Sequence, residues 1–244
     1  MQALPDALAR RLPAGRLNLN CEVRRVHLKE KIAEIGGLGE VRYKRLVNTL
    51  PLPAFLDIAA PLPQAARRAR AKLKWNTVYN LNLGVSGRVS DKHWIYFPEG
   101  RFPFYRVGFP SNFSAHAAPP GASSMYVEVS RRPEERVDMV RLESGIMAGL
   151  RACGLLKPSN KILTKKWIVI PCAYVIYDFE RTPAVNAIFS FLKSAGVESI
   201  GRYGAWKYSF MEETILDGKR CAERLLGIKP SETPASQVEL KPLR

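Results

Sequence analysis

The sequence predicts an α+β fold in which a small layer built from two separated segments encloses an inserted domain of antiparallel sheet plus helices. Three observations support this. Strand-like alternation dominates residues 17–49 and 78–129, helical spacing takes over in 134–156 and 183–195, and residues 197–227 return to a glycine turn followed by an amphipathic helix. The implied divisions are 1–55 for the first part of the small layer, 56–196 for the inserted domain, 197–227 for the second part of the layer, and 228–244 for a tail containing Pro, Ser and Lys.

Residues 2–12 read as a short amphipathic helix with Pro5 in its first turn. Leu17 to Val26 alternates as a strand, Ile32 to Ile35 makes a second, Gly36, Gly37 and Gly39 a turn, and Tyr43 to Thr49 a third strand. Residues 56–75 read as a linker and a basic helix carrying Arg67, Arg68, Arg70, Lys72 and Lys74. Four strands are then expected at Val78 to Val85, Trp94 to Phe97, Phe104 to Phe109 and Ser124 to Val129. A long helix spans Glu134 to Leu156, and the apolar run Trp167 to Tyr177 reads as a buried strand. Thr182-Pro183 opens the helix of 183–195, which Gly196 closes. In the last helix Met211, Ile215, Ala222 and Leu225 recur at helical spacing, with Ser209 as cap and Glu212 completing a capping box.

The chain has 244 residues, an apolar fraction of 46% and a formal charge of +16. That apolar content supports a real core. Residues 1–75 hold fifteen Lys/Arg against six Asp/Glu. Such basicity favours polyanionic partners, yet no nucleic-acid module is present, so nucleic acid is not the expected partner. No run reaches the roughly 18 apolar residues of a membrane span, and residues 1–15 lack the apolar core of a signal peptide. Cys21, Cys153, Cys172 and Cys221 form no CxxC pair and read as reduced thiols of a cytoplasmic protein. His27, His93 and His116 are widely separated, so no metal site is expected.

The stretch Gly201-Arg202-Tyr203-Gly204-Ala205-Trp206-Lys207-Tyr208, with the helix after it, resembles the last FAD-binding segment of the amine oxidase and protoporphyrinogen oxidase-like superfamily, which also contains UDP-galactopyranose mutase. The resemblance implies FAD as cofactor and a flavin that performs hydride or electron transfer on a small-molecule substrate. It places Gly201 and Arg202 near the ribityl–phosphate part, and the backbone N–H groups of Met211 and Glu212 at the flavin. A helix N-terminus carries partial positive charge and suits an electron-rich edge. Residues 1–55 resemble the middle FAD-domain segment, with Val23 matching a valine whose backbone pairs with adenine, and Val47, Thr49 and Pro51 matching a Val-x-Thr-x-Pro strand. His93 to Phe109 resembles the substrate-domain sheet of bacterial members.

Two departures bear on activity. No Gly-x-Gly-x-x-Gly unit occurs, and the cluster Gly36-Gly37-Leu38-Gly39 does not open a helix. The expectation is therefore a later portion of a longer flavoprotein or one piece of a split one, completed by a separate Rossmann chain and holding FAD weakly by itself. The lysine that amine oxidases carry near the flavin has no counterpart between Asn76 and Val85. No catalytic acid or base stands out. The alternative is a mutase-like enzyme acting on a nucleotide sugar: mutases end in Gly-Arg-x-x-x-Tyr-x-Tyr-x-x-Met, to which Gly201, Arg202, Trp206, Tyr208 and Met211 come close. Tyr105, Arg106, Tyr174, Tyr177 and Arg181 are the substrate-binding candidates by type, with a cross-strand ion pair as the competing role for Arg106. A second alternative, a basic binding fragment without flavin, predicts salt-sensitive binding to polyanions.

Overall fold

The computed structural model describes residues 2–228; the expected tail of 228–244 lies outside the described residues apart from Ile228. In chain order the elements are α1 (Ala3–Ala9), β1 (Val23–His27), β2 (Ile32–Ile35), β3 (Gly39–Arg42), β4 (Leu46–Asn48), α2 (Leu52–Ile58), β5 (Ala59–Ala60), α3 (Gln64–Ala71), β6 (Trp75–Ser86), β7 (Trp94–Tyr96), β8 (Arg106–Gly108), β9 (Ala122–Arg131), α4 (Met139–Ala152), β10 (Ile162–Val175), α5 (Arg181–Ser194), β11 (Val197–Ser199), α6 (Gly201–Gly204) and α7 (Met211–Leu226). This is a mixed α+β chain with three sheets among the described residues. It divides into two units, Met1–Leu73 with Asp178–Arg244, and Lys74–Tyr177.

In the first unit β3, β2 and β1 form an antiparallel meander, and β5 adds to β1 in parallel. Strand β1 is shorter than its alternation suggested: residues 17–22 are not strand. Gly39 begins β3 instead of completing the turn. Strands β4 and β11 pair in parallel, joining the two distant segments of the unit. Helix α3 buries Ala66 and Ala69, while α5 buries Ala184, Val185, Ile188 and Leu192. Small alanines on α3 allow the close approach of the two helices, and a Lys72–Glu180 ion pair spans them.

The second unit is a five-stranded antiparallel sheet in the order β10-β6-β9-β8-β7. Alternation sends successive side chains to opposite faces. One face contributes Leu81, Leu83 and Val85 of β6 and Met125, Val127 and Val129 of β9, packed with Phe104, Val107 and Phe109. Helix α4 covers that face with Leu142, Ile146 and Leu150. It starts at Met139 and not at Glu134, because Asp138 caps it by accepting from Val140 N and Arg141 N, both at 3.0 Å. Strand β10 corrects the expectation of a buried strand. It is the end strand, bonded to β6 alone within the sheet, and Ile168 and Val169 are both about half exposed. Apolar composition signalled strand but could not place it in the sheet.

Candidate functional site

The opposite face of the five-stranded sheet is polar. Cross-strand register sets Tyr96 against Arg106, Arg106 against Glu128, Glu128 against Asn80, and Asn80 against Ile168. These residues share one face because each is directly opposite the next. The adjoining row is Trp94, Gly108, Tyr126, Asn82 and Lys166. Gly108 makes room there: a Cβ at that position would collide with the Tyr126 ring, which lies across β8 and places its centroid 6.0 Å from the Arg106 guanidinium.

Arg106 and Glu128 form the centre. Their side chains are only 21% and 9% exposed, and Nη2 stands 2.6 Å from Glu128 Oε2. Arg106 Nε donates to the same oxygen at 2.9 Å, and Tyr105 Oη donates to it at 2.5 Å. The guanidinium also donates to Tyr174 Oη at 3.1 Å and to Tyr96 Oη at 3.3 Å. Burial opposes the Arg106 charge most strongly, but the hydrogen bonds to Glu128 and Tyr96 and the nearby Glu128 charge together outweigh it and raise the pKa. Burial pushes the Tyr105 hydroxyl up, reinforced by its hydrogen bond to Glu128, and burial likewise raises Tyr126. Tyr105 and Tyr126 therefore keep their protons at physiological pH, and Arg106 and Glu128 set one cation against one carboxylate.

Of the five substrate-binding candidates, Tyr105, Arg106 and Tyr174 come together here. Tyr177 lies beyond the end of β10 and is exposed. Arg181 belongs to the first unit, where its Nε donates to the Trp206 carbonyl at 3.1 Å and its Nη2 reaches the same oxygen. Tyr96 falls within the resemblance over residues 93–109, whereas Glu128, Tyr126 and the asparagines Asn80 and Asn82 belong to no motif. The available signal was period-two alternation in β6 and β9, which puts Asn80, Asn82, Tyr126 and Glu128 on the face opposite the leucines and valines.

In the first unit, Gly201 (φ +76°) begins α6, so the expected glycine loop is a single helical turn. Gly204 fits tightly: a Cβ there would lie 2.6 Å from Asn48 O and 3.3 Å from Thr49 Cα. Asn48 Nδ2 donates to Ser199 Oγ at 2.8 Å, and that hydroxyl donates to Gly204 O at 2.8 Å. The end of β4, with Thr49, is thereby fixed against the Gly201–Gly204 turn. Arg202 lies over the Tyr208 ring at 4.9 Å and donates from Nη1 to Ser209 O at 3.1 Å. Val23 stands apart on the other sheet of this unit, paired with Ile35 at a β-bulge.

Helix α7 begins at Met211 with Phe210 as its N-cap, which corrects the Ser209 cap and the Glu212 box. Glu213 accepts from Phe210 N at 3.3 Å, while Ser209 Oγ is 3.2 Å from Thr214 Oγ1. A phenylalanine has no oxygen to cap the first-turn N–H groups, so only half of the reciprocal motif exists. Phe210 and Met211 are 66% and 56% exposed. The positive end of a 16-residue helix is thus open, with apolar side chains around it. An electron-rich aromatic edge fits that chemistry: N–H donors and partial positive charge at the helix start, and an apolar rim for a planar ring system. Among the described residues no group of three His, Cys, Asp or Glu is placed to hold a metal ion, and no helix is long and apolar enough to cross a membrane.

Comparison with known proteins places these features in a lineage. The fold matches reduced UDP-galactopyranose mutase with a TM-score of 0.84 at 24% identity, covering 91% of this chain and 50% of that one. It matches a protein from Exiguobacterium sp. 255-15 named for protoporphyrinogen oxidase with a TM-score of 0.73 at 11% identity, covering 92% and 50%. A putrescine oxidase variant matches with a TM-score of 0.66 at 15% identity, covering 93% and 53%. The chain spans about half the length of these solved structures. The sequence pattern of the flavin containing amine oxidoreductases matches residues 1–226, and the chain belongs to that family.

Proposed function

We propose that this chain supplies the flavin-edge and substrate-facing portion of an FAD-dependent oxidoreductase of the amine oxidase/protoporphyrinogen oxidase-like type. The open N-terminus of α7 beside the Gly201–Gly204 turn carries the reading. Bound FAD would supply hydride or electron transfer. The N–H groups of Met211 and Glu212 would bind the flavin, favouring its anionic reduced form. Gly201 and Arg202 would lie toward the ribityl and phosphates, with Thr49 fixed beside them by the Asn48–Ser199–Gly204 hydrogen bonds. Val23 would offer backbone contacts to adenine. A segment bearing Gly-x-Gly-x-x-Gly, on a longer form of this chain or on a separate one, would complete the pyrophosphate site, so residues 1–244 by themselves would hold FAD weakly.

Met211→Pro tests this directly. Proline is tolerated at the first helical position but has no N–H. Titration of FAD and dithionite-reduced FAD against the chain should show tighter binding of the reduced form, and Met211→Pro should erase most of that preference. Equal affinity for both redox forms in the native chain would refute the reading.

The Arg106–Tyr105–Tyr174 cluster favours a second reading, a mutase-like flavoenzyme acting on a nucleotide sugar, because guanidinium and phenol donors suit phosphate oxygens. In the completed enzyme, oxygen consumption with an amine or porphyrinogen supports the oxidase. Sugar ring interconversion that requires reduced flavin without net redox supports the mutase.

A further inference from the structure

The Arg106–Glu128 geometry says more about selectivity than its residue types do. Arg106 has five N–H groups. Nε donates to Glu128 Oε2, and Nη2 lies 2.6 Å from the same oxygen in an ion pair. Nη2 donates to Tyr174 Oη, and one Nη1 proton goes to Tyr96 Oη. The second Nη1 proton has no acceptor among the described residues. Tyr96 Oη, as an acceptor from Arg106, retains its own proton for donation, and its side chain is more than half exposed. Two adjacent donors therefore face outward from a pair whose charges cancel.

We propose that Glu128 is a specificity-determining residue. It fixes Arg106 by its Nε/Nη2 edge and cancels its charge, so the site rejects free inorganic oxyanions. It instead selects an organic ligand presenting two adjacent oxygen acceptors to Arg106 Nη1 and Tyr96 Oη. The proposal rests on the reading that this sheet face meets substrate. A carboxylate that served only as scaffold would give the opposite result when removed: looser geometry and weaker binding.

The test is a charge ladder at one site, read by calorimetric titration with inorganic pyrophosphate at low ionic strength and without flavin. Arg106→Gln makes the pair net negative, the native chain and Arg106→Gln/Glu128→Gln are neutral, and Glu128→Gln is net positive while keeping an acceptor for Tyr105. Affinity should follow that order, with Glu128→Gln binding about ten-fold more tightly than the native chain, a gain that shrinks as salt rises. Glu128→Asp, which keeps the charge, should show no gain. Adding Tyr96→Phe to Glu128→Gln should remove most of the gain, tying it to this site and not to the basic surface elsewhere. Weaker or unchanged binding by folded Glu128→Gln overturns the proposal. If that variant does not fold, the native chain, Arg106→Gln and the double variant still carry the ladder, and equal affinity in the three overturns it. Because no flavin is present, this failure is separate from failure of the FAD reading, which Met211→Pro measures.

Discussion

Replacing Arg106 with methionine isolates the energetics of the cluster. Methionine preserves much of the aliphatic volume but deletes the cation, leaving Glu128, 9% exposed, with only the Tyr105 hydroxyl at 2.5 Å. Breaking a fully buried pair costs about 3–5 kcal/mol because a charge is stranded. Arg106 keeps 21% exposure, so water screens the native pair, and Tyr105 continues to solvate the carboxylate. The expected loss is therefore lower, about 2–3 kcal/mol. Replacing both partners, in Arg106→Met/Glu128→Leu, removes the stranded charge and should recover most of that loss. Urea unfolding of the two single variants, the double variant and the native chain closes a thermodynamic cycle. A coupling of about 2 kcal/mol is expected. If Arg106→Met costs under about 0.5 kcal/mol, or the double variant is no better than the sum of the singles, the pair is not the organising centre of this face.

Three further outcomes follow from the geometry. The hydroxyls of Tyr105 and Tyr126 have folded pKa values above the ordinary tyrosine value, through burial first and then, for Tyr105, its bond to Glu128. Their contribution is complete below about pH 10 and declines as pH rises toward the folded values; denaturation followed against pH should show this alkaline loss, reduced in Tyr126→Phe. Glu143 titrates below its usual range because Lys165 and the Trp167 indole donate to it. Its stabilisation is present above about pH 4.5 and lost as pH falls through the lowered value, so Glu143→Gln should flatten the acid limb of the same curve. Gly204→Ala forces a methyl against the backbone oxygen of Asn48, 2.6 Å away, and should cost about 1–3 kcal/mol in thermal unfolding, whereas Gly218→Ala, with open space around it, should cost nothing.

Much of the element order was legible because periodicity is local. β2, the α3 basic helix and the glycine that ends α5 stand where spacing put them. Boundaries failed where a tertiary partner or a cap decides them. Asp138 starts α4 by bonding two N–H groups, and at α7 the N-cap is Phe210 while the Ser209 hydroxyl pairs with Thr214. The candidate substrate residues divided along the same line. Tyr105 and Arg106 are adjacent in sequence where β8 begins, but Glu128 and Tyr174 reach them only through strand pairing over 22 and 68 residues. Such juxtapositions depend on register, which no short window of residues encodes. The exposure of Phe210 and Met211 at the α7 start was equally hidden, since an apolar residue near a helix terminus is as often core as rim.

The outer margin of β10 governs how the molecule must be handled. A long strand at the end of a sheet, with apolar residues on both faces, is a template on which other copies can stack as cross-β ribbon. Lys166, with Lys165 beside it held by Glu143, interrupts that run immediately before Trp167 and acts as a charged gatekeeper. Neutralising them, by acetylation or by alkali, would remove the guard while leaving the template, so precipitation and thioflavin fluorescence should rise together under those conditions.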